Sequence, residues 1–380
     1  MQVPVLGATA TDRAERPVAH PFVLSRPHGT VVAEGVSERF DHPSAAAEAL
    51  RTGRITALVG ALPFEVGRPA ALTAPHLLHH SPAPYAAPAG DLPPIAITGA
   101  LPSEGEHIDR VETALRLLRS DESELRKVVL ARALALRAGR PVGPHELLAA
   151  LVRNDPLHNG FLVDLTAAGD PWTGRHLVGS SPEVLVCRRG DRVTAHPLAG
   201  SAPRHRDPEI DRATAETLAG SAKNLVEHAH VIDAIRTALE PLCADLDIPD
   251  RPSVTSTRQL WHLGTPVEGR LRDPDVTALD LALAVHPTPA ICGTPTAAAR
   301  DLILATEGDR GFYAGAVGWC DGRGDGEWMV TIRCAVLEPD GVGLTAYAGG
   351  GIVAGSDPAD ELAETTVKFG TVLDALGVLR

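Results

Sequence analysis

Residues 346–368 read AYAGGGIVAGSDPADELAETTVK, an alternating strand-like run that passes straight into a helix. Three consecutive glycines, Gly349, Gly350 and Gly351, let backbone N–H groups approach a ligand that any Cβ would hold off. The helix start is well marked. Asp357 suits the N-cap, Pro358 the first helical position, and Asp360 and Glu361 a first turn where the helix dipole favours negative charge. Leu362, Thr366, Phe369, Leu373 and Leu376 form the expected buried stripe, and Glu361, Glu364 and Lys368 share the opposite face. From the local pattern, that face is a solvated surface with a weak Glu364/Lys368 ion pair. The sharper alternative is that two carboxylates and an ammonium beside a glycine-rich bend hold a divalent cation and an anionic substrate together.

Upstream, EWMVTIRCAVLE (residues 327–338) reads as one apolar strand, preceded by the strand GFYAGAVGWCD (residues 311–321). Arg333 is the charge inside it. A buried arginine needs an anionic partner, which makes it the least ordinary charge in the chain. A further strand begins at Lys127 in KVVLARALALRAG, with Lys127, Val129, Ala131 and Ala133 on one face. That lysine either snorkels to the surface or faces a cleft, where desolvation would make it a usable base. Glu183 stands at the mouth of the apolar strand in SSPEVLV; buried there, it would have a raised pKa and could donate a proton. One long helix is expected over residues 211–240. Its buried side runs Leu218, Ala222, Leu225, Ala229, Ile232, Ile235, Leu239, leaving Lys223, Asn224, Glu227 and Val231 on another side. Residues 1–80 alternate short strands with one helix near Ser44–Leu50, and SPAPYAAPAGDLPP (residues 81–94) reads as a surface crossing.

Composition narrows the function classes. Hydrophobic residues make up 44% of the 380 but aromatics only 3%, so the core is built from aliphatic side chains. A formal net charge of −13 argues against nucleic acid and anionic membrane as partners, and leaves any anion site to local charges. Five scattered cysteines without a C-x-x-C pair point to a reducing, cytoplasmic setting. The opening MQVPVLGATATDRAERP lacks the apolar core of a secretory signal, and no run is long enough to span a membrane. Sixteen histidines show no zinc spacing, and the glycine triplet matches neither a P-loop nor a dinucleotide fingerprint.

Taken in order, KVVLAR, SSPEVLV, HPLAGSA, SAKNLVEH, HLGTPVEG, HPTPAICGTP, GAVGWCDGRGDGEWMVTIRCA and AGGGIVAGSDPADELAETTVK resemble the chorismate-utilising enzymes, in particular the isochorismate synthases of catechol-siderophore pathways. These motifs span residues 126–370. The resemblance implies an α+β fold of large, mainly antiparallel sheets packed face to face with helices outside. It implies one chorismate-binding domain over residues 1–380, with 1–95 its N-terminal part and 104–378 the motif-bearing part. By motif, Lys127 is similar to the base that activates water for attack at C2 of chorismate, and Glu183 to the acid that protonates the departing C4 hydroxyl. Glu227 and Glu364 resemble Mg²⁺ ligands, with Glu361 as a direct or water-mediated partner. Ser201, Arg333, Gly349 and Lys368 match positions that hold substrate carboxylates.

Two positions discriminate among siblings. Members that add ammonia carry an amide at the place of Lys127, so water is the implied nucleophile and no glutamine amidotransferase subunit is expected. Members that go on to eliminate pyruvate, giving salicylate, carry threonine at the place of Ala290. A monomer is expected. One departure stands out: the family's usual acid three residues before Glu227 is Asn224 here.

Overall fold

A computed structural model of the chain describes residues 20–86 and 90–378. The opening MQVPVLGATATDRAERP and residues 87–89 of the proline-rich crossing lie outside them. Among the described residues the strands form three sheets, and every strand pairing is antiparallel. The ten-stranded sheet runs Gly293–Thr294, Lys127–Ala138, Gly343–Val353, Cys334–Leu337, His176–Gly179, Gly160–Asp164, Phe22–Arg26, Gly29–Glu34, Leu77–Ser81, with Ile95–Leu101 beside Lys127–Ala138. The nine-stranded sheet has Val184–Arg189, Gly326–Val330, Ala316–Asp321 and Ala57–Leu62 at its centre. Leu198–Pro203, Leu260–Gly264 and Ser253–Ser256 make a small third sheet.

Among the described residues eight α-helices surround the sheets: α1 Pro43–Arg51, α2 Glu104–Leu118, α3 Pro144–Asn154, α4 Pro208–Gly220, α5 Ala222–Leu239, α6 Ala278–Val285, α7 Thr296–Glu307 and α8 Pro358–Ala375. Side chains of both large sheets, among them Phe22, Phe161, Trp328 and Val317, share one continuous aliphatic-rich core. A second cluster lies between the ten-stranded sheet and helices α3 and α8, through Leu148, Leu162, Ala346, Phe369 and Val372. The α+β architecture expected from the motifs is therefore present. No helix among the described residues is long and apolar enough to cross a membrane. All five cysteines are free thiols.

Several local expectations need correction. The helix over 211–240 is two helices, because Ser221 ends α4 with an extended ψ and its hydroxyl then caps α5 by accepting from Asn224 N–H. On α5, Glu227 and Val231 face inward, whereas Ala229 is exposed and Leu225 and Ile232 are only half-buried. The run EWMVTIRCAVLE is also two strands. Gly326–Val330 belongs to the nine-stranded sheet and Cys334–Leu337 to the ten-stranded one, so Thr331–Arg333 is a crossing. The neighbouring strand starts only at Ala316, and Gly311–Ala314 forms a turn. On α8 the buried row is Glu361, Thr365, Phe369, Val372 and Leu373; Thr366 is exposed and Leu362 half-buried, because the helix is covered on more than one side.

Candidate active site

The glycine triplet lies inside a strand rather than at a bend. Gly343–Val353 pairs along its length with Lys127–Ala138, matching Gly349 with Ala131, Gly351 with Val129 and Val353 with Lys127. Its other neighbour, Cys334–Leu337, pairs only as far as Ala346. Beyond that residue the strand edge is open to a cavity, and α8, capped by Asp357, folds back beside it. The cavity's volume is about 60 Å³. Its opposite wall is the small sheet, with Leu198–Ser201 and His262, and the inward face of α5.

Seven of the nine sequence-predicted site residues line this cavity: Glu183, Ser201, Glu227, Arg333, Gly349, Glu364 and Lys368. Lys127 and Glu361 stand immediately behind the wall. Lys127 is completely buried rather than snorkelling, and its Nζ lies 3.1 Å from Glu227 Oε1. Gly351 makes that meeting possible, since a Cβ there would sit 2.1 Å from Glu227 Oε1 and 3.1 Å from Lys127 Cε.

Glu183 and Arg333 reach the cavity by the same device. Each sits where the chain passes between the two large sheets, Glu183 between His176–Gly179 and Val184–Arg189, Arg333 between Val330 and Cys334. The crossings are bonded to each other: Ser180 N–H donates to Arg333 O at 3.0 Å and Val330 N–H to Glu183 O at 3.1 Å. Arg333 turns there with a φ of 53°. Burial pushes the Glu183 carboxyl up to about 7, against the opposing pull of the Leu198 backbone and of Lys127, Arg333 and Lys368. Burial also lowers Arg333, to about 10, which leaves it a cation at neutral pH. Its Nη1 donates to Thr371 Oγ1 at 3.3 Å.

Lys368 donates to Gly349 O at 2.9 Å and to Glu364 Oε1 at 2.5 Å. Burial acts to raise Glu364, but the Lys368 and Lys223 ammonium groups outweigh it and hold the carboxyl below its ordinary value. Glu361 goes the other way: burial, then repulsion from Glu364, push it up despite the Lys223 Nζ at 2.5 Å. The Ser201 hydroxyl is buried at the cavity beside Glu364, whose carboxylate it helps keep ionised. Asn224 does not line the cavity; its Nδ2 donates to Ser221 Oγ at 2.9 Å, and it packs under Gly200.

The sequence reading gave no role to His262, Tyr313 or Lys223. His262 is buried in the cavity wall with Nε2 unpartnered, and burial followed by the nearby Arg333 and Lys368 charges keeps it neutral. Tyr313 stacks on Tyr347 with ring centroids 5.0 Å apart. His262 opens HLGTPVEG, a motif of the resemblance that carries no role for it, and Tyr313 lies in GFYAG, which reads as strand.

Whether Mg²⁺ suits this site is decided by its oxygen donors. Among the described residues no three ligating side chains converge on one point. Glu227, Glu361 and Glu364 instead each engage a lysine of their own. Magnesium commonly takes one or two carboxylates and completes its shell with substrate and water, so convergence of three is not required. Glu361 Oε2 is buried without a hydrogen bond of good geometry, with the Ser356 hydroxyl near the carboxyl, and is the kind of oxygen a cation would engage. The carboxylate set fits the ion.

A Mycobacterium tuberculosis protein provisionally named isochorismate synthase MenF is 54% identical over 94% of this chain and 96% of its own length. Isochorismate synthase DhbC of Bacillus subtilis is 41% identical over 94% of each chain. The crystal structure of DhbC from Bacillus anthracis, provisionally described as a 2,3-dihydroxybenzoate-specific isochorismate synthase, superposes with a TM-score of 0.87 at 37% identity, covering 96% of this chain and 98% of that one. Residues 87–377 match the family described as chorismate binding enzyme, which takes in every lining residue of the cavity. The chain belongs to the chorismate-binding enzyme family.

Proposed function

We propose that this protein is an isochorismate synthase that adds water at C2 of chorismate and releases the C4 hydroxyl. The observation that carries the reading is the arrangement of Glu183, buried in the wall of a cavity that also presents Arg333 and Lys368, and of Lys127, buried just behind that wall. Water is a poor nucleophile and hydroxide a poor leaving group, so a base and an acid must act together. Lys127 is assigned as the base that takes the proton from water. Glu183, with its pKa near 7, keeps enough of the acid form at neutral pH to protonate the leaving hydroxyl. Arg333, Lys368 and the Ser201 hydroxyl hold the substrate carboxylates, with Gly349 admitting them close to the backbone.

Glu227 and Glu364, with Glu361 behind them, are assigned to hold Mg²⁺. Bound there, the ion would neutralise the ring carboxylate of a dianion that an acidic protein does not attract by overall charge. Cytoplasmic placement belongs to the same reading.

Ala290 lies in the cavity wall, at the position where pyruvate-eliminating relatives are expected to carry threonine. Its placement favours release of isochorismate over salicylate. Incubation with chorismate and Mg²⁺, followed by chromatographic separation of products, tests both points. Isochorismate without pyruvate is the expected result; pyruvate with salicylate would favour the other activity, and untouched chorismate would refute both.

A further inference from the structure

The strand that begins with Lys127 is completely paired on one edge and interrupted on the other. Along the second edge, Gly293–Thr294 pairs with Lys127 and Val128, while Ile95–Leu101 begins only at Ala133. Residues 129–132 therefore have no strand beside them on that side. Three of their backbone groups on that side are nonetheless paired. Val129 N–H donates to Cys292 O at 2.8 Å, Val129 O accepts from Arg310 Nη2 at 2.6 Å, and Ala131 N–H donates to Glu307 Oε1 at 2.7 Å.

Glu307 is the last residue of α7, and a turn at Gly308 brings Arg310 back against it. Arg310 Nε donates to Glu307 Oε2 at 2.8 Å and Nη2 to Oε1 at 2.9 Å, while Nη1 reaches Ile291 O at 2.9 Å. The two side chains are 3% and 7% exposed, and Phe64 lies 4.7 Å from the guanidinium carbon. Burying two charges is unfavourable unless their hydrogen bonds are well met, as they are here. Two of the residues they hold, Val129 and Ile291, line the cavity, as does Ala290 next to Ile291, and Lys127 is two residues before Val129.

We propose that Glu307 and Arg310 are positioning residues that take the place of a missing strand, fixing Lys127 and the Ala290–Ile291 wall relative to each other. The catalytic part of this inference rests on the proposed isomerase activity; the clip itself does not. Arg310→Lys keeps the charge but cannot reach two carbonyls and the carboxylate at once, and Glu307→Gln keeps the shape without the charge.

The test compares both variants with wild type for steady-state kinetics and for amide hydrogen exchange in segments 127–134 and 288–293. Glu327→Gln serves as the stability control, because it breaks another buried ion cluster, with Arg26 and Arg189, away from the cavity. The expected result is a tenfold or larger fall in kcat with KM within threefold, and faster exchange confined to the two segments. Glu327→Gln should lower Tm and leave kcat in place. A kcat within twofold of wild type in Arg310→Lys and Glu307→Gln, or unchanged exchange in those segments, overturns the proposal. Should Glu307→Gln not fold, Arg310→Lys carries both readouts. Should wild type form no isochorismate, the functional reading fails and the exchange data alone judge the clip.

Discussion

Lys127 Nζ lies 3.1 Å from Glu227 Oε1, joining the first residue of a central strand to the inward face of α5. The lysine has no solvent exposure, and Glu227 is the carboxylate within reach of its nitrogen. The proposed base and a proposed metal ligand are thus in contact, and removal of either is felt by the other. Lys127→Met keeps the bulk of the stem and removes the amine. Loss of a general base is worth about 10²–10⁴ in rate. The expected outcome is a kcat lowered at least about 100-fold with the far-UV circular dichroism spectrum retained, checked by isochorismate formation. Turnover near wild type would exclude Lys127 as the base.

Glu183 sets a pH dependence of definite sign. Its folded-state pKa of about 7 lies above the ordinary 4.5, so the folded protein holds a proton there that the unfolded chain has released between those values. Activity that needs the acid form falls as pH rises through 7. The stability tied to that proton is complete below about 4.5 and is lost as pH rises through 7, a difference on the order of 3 kcal/mol. Glu183→Gln should lose most turnover and should also lose this alkaline drop in Tm. Equal pH slopes of Tm from 5 to 8 in the two proteins would move the titration to another group.

The parts of the fold legible in the sequence were those encoded locally. Asp357 and Pro358 announce α8 because caps act within one turn, and Lys127 opens its strand because alternation starts there. The crossing at Thr331–Arg333 was not legible. Its residues continue an apolar run, and hydrophobic period reports burial without telling which sheet provides it. The same limit hid the buried row of α8, where Glu361 and Thr365 turn inward because cationic donors meet them there: Lys223 for Glu361 and Arg132 for Thr365. The break at Ser221 rests on one cap residue within a helix-like pattern. Candidate site residues were easier to identify than their routes into the cavity, since ordered motifs name residues without giving the crossings that carry them.

Gly351 is predicted to be essential for a steric reason. An alanine methyl would fall 2.1 Å from Glu227 Oε1, well inside contact distance, and the Lys127 stem 3.1 Å away restricts escape. The strand itself tolerates alanine, because Gly351 has no positive φ. Gly351→Ala should therefore fold, displace the Glu227 carboxylate, lower kcat at least tenfold and raise the Mg²⁺ concentration giving half-maximal activity. Circular dichroism and a Mg²⁺ titration check it. Wild-type kinetics in this variant would show that Glu227 acts from a different position.

Asn224 occupies the place where the family pattern has an acid, which would imply one fewer charge for the metal. The structure gives that residue another task. Its Nδ2 donates to Ser221 Oγ at the α4–α5 break, and its Cβ and Oδ1 lie 3.0 and 3.2 Å from where a Cβ on Gly200 would be. The side chain therefore supports the irregular stretch of strand Leu198–Pro203 that presents Ser201, and it stands outside the cavity lining. Asn224→Ala should leave the half-saturating Mg²⁺ concentration within twofold of wild type. Its effect should fall instead on KM for chorismate, raised several-fold as the Gly200–Ser201 segment loosens. A large rise in the Mg²⁺ requirement with KM for chorismate unchanged would return Asn224 to the metal shell.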